Sequence, residues 1–199
     1  MTKWSRAVLL MLVYVLVLAA IYVVHVRWLR VDVLFYAALE DAATAVLLVA
    51  VLVFAWRACG VFNAFEKAQL LVICALTGYA LAISVPTVLD RSLSFYTLEK
   101  LQQRGGGIRY SAFENVFTQE YVKEHRLVDV RLTEQLQSGT IVIRDGCVRL
   151  TPKGDALARF SRWFRMHLLP RQRLLMGEYT DDLTDPFRHS AAAADYTCN

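Results

Sequence analysis

At 199 residues the chain is long enough for two domains, and its composition excludes a single soluble globule. Hydrophobic residues make up 56% of it and mean hydropathy is +0.37, with the excess concentrated before Leu89. A net charge of +4 is too mild to imply a polyanionic partner by itself.

Residues 7–26 (AVLLMLVYVLVLAAIYVVHV) carry no formal charge over the length that one helical bilayer crossing needs. The apolar run is too long for a signal peptide and no A-x-A site follows it, so it is read as a retained span. Residues 33–56 form a second span with a polar first third, and residues 67–89 a third that ends near Pro86. Trp28 and Trp56 stand where interfacial aromatics are expected. Three spans put the two termini on opposite sides. Loop cations are nearly balanced: Lys3, Arg6, Arg57 and Lys67 on one side, Arg27, Arg30, Arg91, Lys100 and Arg104 on the other. The C-terminal half is expected in the cytoplasm of a bacterial-type cell, because of a basic segment described below.

The second span holds an intramembrane oddity. Asp32, Tyr36 and Glu40 recur every four residues and share one helical face, while Asp41 points about 100° away. Ionisable groups at membrane depth are costly and face a partner, a cavity or a pathway. Glu40 lies roughly a dozen ångströms in if the span starts at Val33. The four residues form an intramembrane polar site, read first as interfacial acids near Arg27 and Arg30 or a contact to a partner helix, and alternatively as a proton, ion or headgroup site.

From Asp90 the periodicity changes. A helix over residues 90–104 is capped by Asp90 or Ser92, buries Leu93, Tyr96, Leu98 and Leu101, and ends at the glycines 105–107. In YSAFENVFTQEYVKEH, Ser111 and Glu114 fit a capping box, and Phe113, Phe117 and Tyr121 fall on one face beside Val116. A third helix fits DVRLTEQLQSG, with Asp129 as N-cap, Leu132 and Leu136 inward with Val128, and Gly139 as stop. Asp145-Gly146 then closes a tight hairpin. That turn sets Ile143 opposite Val148 and Ile141 opposite Leu150, so all four share one buried face, with Val142, Arg144, Cys147 and Arg149 on the other. Thr151 and Pro152 open a last helix, as N-cap and first helical residue, which buries Leu157 and stops at Pro170.

The order helix, helix, helix, hairpin, helix, together with EQLQSGTIVIRDGCVRLTPKG over residues 134–154, resembles a winged-helix domain of bacterial regulators. In those, a recognition helix ends at S-G, a two-stranded wing follows, and L-T-x-x-G starts the closing helix. The resemblance covers residues 90–157. The expected fold is thus a membrane all-α half with three transmembrane helices (1–89), a C-terminal α+β winged-helix domain with a basic closing helix (90–176), and an acidic, mobile tail (177–199).

The resemblance implies DNA binding, through Arg131, Gln135, Arg144 and Arg149. The charges argue against it. Asp129 and Glu134 oppose Arg131, and residues 90–158 carry ten Lys and Arg against nine Asp and Glu, a weak footprint for a phosphate backbone. With the same surface (Arg131, Glu134, Gln135, Arg144, Arg149) fixed beside the bilayer, docking of a membrane or cytoplasmic protein is the preferred reading. An accessory subunit of a membrane complex, such as one assembling envelope glycans or lipids, would be of this kind. A membrane-tethered regulator is the alternative.

Positive charge gathers further on, in ARFSRWFRMHLLPRQRLL. Arg159, Arg162, Trp163, Arg165, Arg171 and Arg173 suit the lipid headgroup region, and equally an ordinary closing helix with solvated arginines. Glu178, Asp181, Asp182 and Asp185 follow and are read as solvated. No nucleophile elbow, P-loop, dinucleotide fingerprint or HExxH motif occurs, and His25, His125, His167 and His189 are scattered, so no cofactor or metal is expected. An enzyme or transporter component would have to use Asp32, Glu40 and Asp41. Cys74 is read as a buried hydrophobe. Cys147 and Cys198 are read as free thiols, since pairing needs an oxidising compartment.

Overall fold

The structure is a computed structural model and describes residues 2–188. His189, Cys198 and the rest of the expected tail lie outside the described residues. The chain groups into two compact units, Met1–Phe117 and Thr118–Asn199.

The first unit is built on three helices long and apolar enough to cross a membrane. α1 (Lys3–Trp28) is capped by the Thr2 side chain, which accepts from the Ser5 amide. α2 (Leu34–Ala55) follows a short turn. A single 3-10 turn, Arg57–Val61, leads to α3 (Ala64–Ala82), whose start is a full capping box between Asn63 and Glu66. Lys3 also pairs with Glu66 at 2.9 Å, tying the start of α1 to the start of α3.

The third span does not end at Pro86. Proline removes one donor from the helical ladder and crowds the carbonyl four residues back. The chain answers by widening to a π turn over Ile83–Thr87, and the Thr87 hydroxyl donates to the Ala82 carbonyl at 2.8 Å. Helix then resumes over Val88–Arg91, so the span extends to Arg91.

Four-residue steps build the bundle core: Leu10, Tyr14 and Leu18 on α1; Ala38, Ala42, Ala45, Val49 and Val53 on α2; Leu70, Cys74, Gly78 and Ala82 on α3. The seam is rich in Gly and Ala, which lets backbones approach where lipid supplies no hydrophobic drive. Cys74 is fully buried with its thiol 3.6 Å from the Met11 sulfur. Trp28 and Trp56 are exposed at the ends of α1 and α2.

α4 (Leu93–Gln103) is capped by Ser92, and its end is closed by Gly105 and Gly106 at φ +80° and +96°, with the Gly106 amide donating to the Leu101 carbonyl. Its expected apolar face is only partly buried. Tyr96 is enclosed, but Leu93 and Leu98 are exposed, and Lys100 takes a buried place with its ammonium 5.7 Å from the Tyr96 ring centre. The stretch expected as one helix from Ser111 is instead a chain of short turns: 3-10 over Tyr110–Ala112, α over Phe113–Asn115, π over Val116–Tyr121 and α over Val122–Glu124. No side chain caps its first turn. Phe113 and Phe117 still stack at 5.8 Å, and Val116 is buried.

In the second unit α5 (Leu127–Gln137) starts two residues before Asp129, after Arg126 in the left-handed region. Asp129 is therefore a first-turn acid rather than the N-cap, where it still complements the helix dipole and accepts from Arg126 at 2.9 Å. β1 (Ile141–Arg144) and β2 (Cys147–Leu150) pair in the expected register: Ile141 with Leu150, Val142 with Arg149, Ile143 with Val148, Arg144 with Cys147. Asp145 and Gly146 both have positive φ, as the two-residue turn demands. α6 (Pro152–Leu168) is capped by Thr151, whose hydroxyl accepts from the Gly154 amide. Gly154 sits against the turn that precedes β1: a Cβ there would stand 2.0 Å from the Thr140 carbonyl oxygen.

The first residues of the expected tail take part in a hairpin. β3 (Arg173–Leu175) and β4 (Glu178–Thr180) form a second hairpin, turned by Met176 and Gly177 at positive φ. Leu174, Leu175 and Tyr179 give these short runs strand character that charge counting alone overlooks.

Candidate functional site

Within the membrane bundle the buried acid is Asp41. Asp32, Tyr36 and Glu40 share an outward face and are exposed, whereas Asp41 points into the seam. Its Oδ1 lies 2.7 Å from the Nδ1 of His25, with side-chain exposures of 6% and 15%. Asp41 Oδ2 and the Tyr14 hydroxyl are buried with no hydrogen-bond partner among the described residues. Residues 25 and 41 are equidistant from Val33 in the α1–α2 turn, so antiparallel helices bring them level. That count was the signal for His25, which a reading of the four histidines as scattered passes over. The pair is a hydrogen bond between two helices in a medium that offers no other partner.

Two lateral cavities flank these acids. One, of about 380 Å³, is lined by Leu18, Tyr22, Ala38, Gly78 and Pro86 among others, one turn from His25 and Asp41 along α1 and α2. The other, also about 380 Å³, lies between α2 and α3 and is lined by Ala42, Ala43, Leu47, Ala75 and Tyr79 among others. It adjoins the outward face that carries Glu40. Among the described residues no group of His, Cys, Asp and Glu is arranged to hold a metal ion.

In the second unit two of the four side chains expected to read DNA, Arg131 and Gln135, are engaged within their own helix and turn. Arg131 pairs with Glu134 at 2.8 Å, and Arg126 with Asp129 at 2.8 Å. The Gln135 side-chain oxygen accepts from the Thr140 hydroxyl, and its carbonyl accepts from the same group at 3.1 Å. Thr151 and Lys153 donate to the carbonyls of Gly139 and Ser138, so the α5–β1 turn is held by α6. Arg144 and Arg149 are exposed on the hairpin.

The apolar residues of this unit are largely uncovered. Ile141 is buried at 8% exposure, but Ile143, Val148 and Leu150, expected beside it, are 44%, 45% and 61% exposed. Val128, Leu136 and Leu157, expected inward, are exposed too, as are Phe160, Trp163, Phe164 and Leu168.

No family model, curated protein or solved structure matches the chain.

The basic segment is partly neutralised in place. Arg159 pairs with Asp155 at 2.9 Å, Arg162 lies 3.9 Å from Asp185, and the Arg165 guanidinium stands 5.6 Å from the Phe187 ring centre. Trp163 stacks on His167, Arg173 opens β3, and the Arg171 carbonyl accepts from Thr184. Of the acids expected to be solvated, Asp181 and Asp182 pair with Arg188. The Thr180 hydroxyl and then Arg188 hold the Asp182 carboxyl below the usual carboxylate range. Cys147 is disulfide-bonded rather than a free thiol.

Proposed function

We propose that the chain is a non-catalytic membrane protein of the bacterial inner membrane whose C-terminal half, a winged-helix domain, docks and positions a protein partner. It would serve as an accessory subunit of a membrane complex, with assembly of envelope glycans or lipids as a fitting setting. The observation that carries this is the uncovered apolar surface of the second unit, centred on Ile143, Val148 and Leu150. Large contiguous apolar exposure marks an interaction surface. Base reading needs free polar groups, and on this helix Arg131 donates to Glu134 while the Gln135 side-chain oxygen accepts from Thr140. The basic and aromatic face of α6 supports a second contact, with anionic lipid headgroups.

Native purification in mild detergent tests the reading. A partner is expected to co-purify with the full chain, and Leu150→Glu, at an exposed position, is expected to release it without loss of helix content. A salt-sensitive gel shift by the full chain, lost in Arg131→Ala, would replace docking with transcription control.

The basic segment supports a cytoplasmic C-terminal half. The disulfide at Cys147 favours the opposite face, since such bonds persist in oxidising compartments. A C-terminal reporter active in only one compartment decides between the two faces.

A further inference from the structure

Glu40 is exposed on the bundle surface, roughly 9 Å along the axis from Leu34, where α2 begins. Its backbone carbonyl accepts from Thr44, and no side-chain partner meets its carboxylate among the described residues. Facing lipid, a carboxylate at this depth is costly unless a cation or donor meets it. Helical side chains lean towards the N-terminus, so the carboxylate reaches back towards the interface near the α1–α2 turn. The same face continues through Ala43, Leu47, Val51 and Phe54, all exposed, beside the α2–α3 groove whose lining includes Ala42, Ala43 and Ala75. Small residues in such a lining admit a neighbouring helix closely.

We infer that a transmembrane helix of a different protein, carrying an Arg or Lys just below the membrane interface, docks in the α2–α3 groove and pairs with Glu40. The inference rests on the docking reading above and names the chemistry of the partner's membrane part. A second copy is disfavoured, because a two-fold contact through this face sets Glu40 against Glu40. His25 of another copy is not on offer either, being engaged with Asp41 within its own bundle.

A model helix stands in for the partner. The full chain, donor-labelled at its N-terminus, is placed in phosphatidylcholine vesicles with an acceptor-labelled polyleucine helix. One version carries a single Arg six residues from its end, the other none. Energy transfer is expected to report about tenfold tighter association of the Arg helix. Glu40→Leu is expected to abolish that preference and Glu40→Gln to keep part of it. Equal association of both helices overturns the inference. So does a preference that survives Glu40→Leu, or a Glu40→Leu effect on self-association alone. Loss of the preference while Leu150→Glu still releases a native partner removes this inference and leaves the docking reading. A Glu40-dependent preference with no native partner does the reverse.

Discussion

Gly78 carries the tightest steric constraint in the bundle. A Cβ added there would stand 2.1 Å from the Tyr14 hydroxyl oxygen and 3.0 Å from the Ala42 Cβ. Tyr14 is fully enclosed, so its ring has little room to swing away. Gly78→Ala is therefore expected to cost about 1–3 kcal/mol through overpacking. Because that hydroxyl is buried without a partner, Tyr14→Phe alone should be neutral or stabilising by about 1 kcal/mol. The double variant should recover most of the Gly78→Ala loss, as read by unfolding in mixed micelles. Asp41 and His25 call for a cycle of their own. Asp41→Leu leaves the imidazole without its acceptor, and His25→Leu leaves the carboxylate without its donor. Each is expected to cost about 1–2 kcal/mol, with the pair of changes together costing clearly less than the sum. Additive losses in the same unfolding assay would mean that the 2.7 Å contact contributes nothing.

The elements differ in how far their residues announce them. The first hairpin was legible to the register because Asp145-Gly146 permits one turn and the alternation permits one pairing. The three spans were legible from length and hydropathy, and the cap at Thr151 from its Thr-Pro pair. Pro86 misled about where the third span ends, because the repair comes from its neighbour: Thr87 supplies the hydrogen bond that the proline withholds. Thr87→Val should remove the side-chain hydrogen bond to the Ala82 carbonyl at membrane depth, costing about 1 kcal/mol and increasing amide exchange over residues 83–91. Pro86→Ala should restore a regular helix and make Thr87→Val harmless. Burial in the C-terminal half was the least legible feature. Periodicity marks which face of α5 or of the hairpin is apolar, but the structure must say whether anything covers it. Likewise the acidic row in α2 was visible, while only the pairing of helices distinguishes inward Asp41 from outward Glu40.

At the scale of the whole chain the two units are stabilised to different degrees. The membrane unit has a continuous core from Leu10 to Cys74, closed by interhelical contacts. In the second unit the described residues bury only Thr140, Ile141 and Gly154. A segment with so little buried apolar area opens at a free energy near that of local fraying rather than of global unfolding. Hydrogen exchange on the full chain in nanodiscs should therefore divide at the unit boundary, with slow amides in α1 to α3 and fast ones over residues 118–188. The turn held by Thr140, Thr151 and Lys153 should be the slowest part of that fast region. A partner that covers Ile143, Val148 and Leu150 adds its binding free energy to the folded form alone. At a hundredfold excess over Kd, that amounts to about 2.7 kcal/mol, or roughly a hundredfold slower exchange. If the second unit exchanges as slowly as the bundle without a partner, its surface is complete as it stands, and the argument for docking through the hairpin is lost.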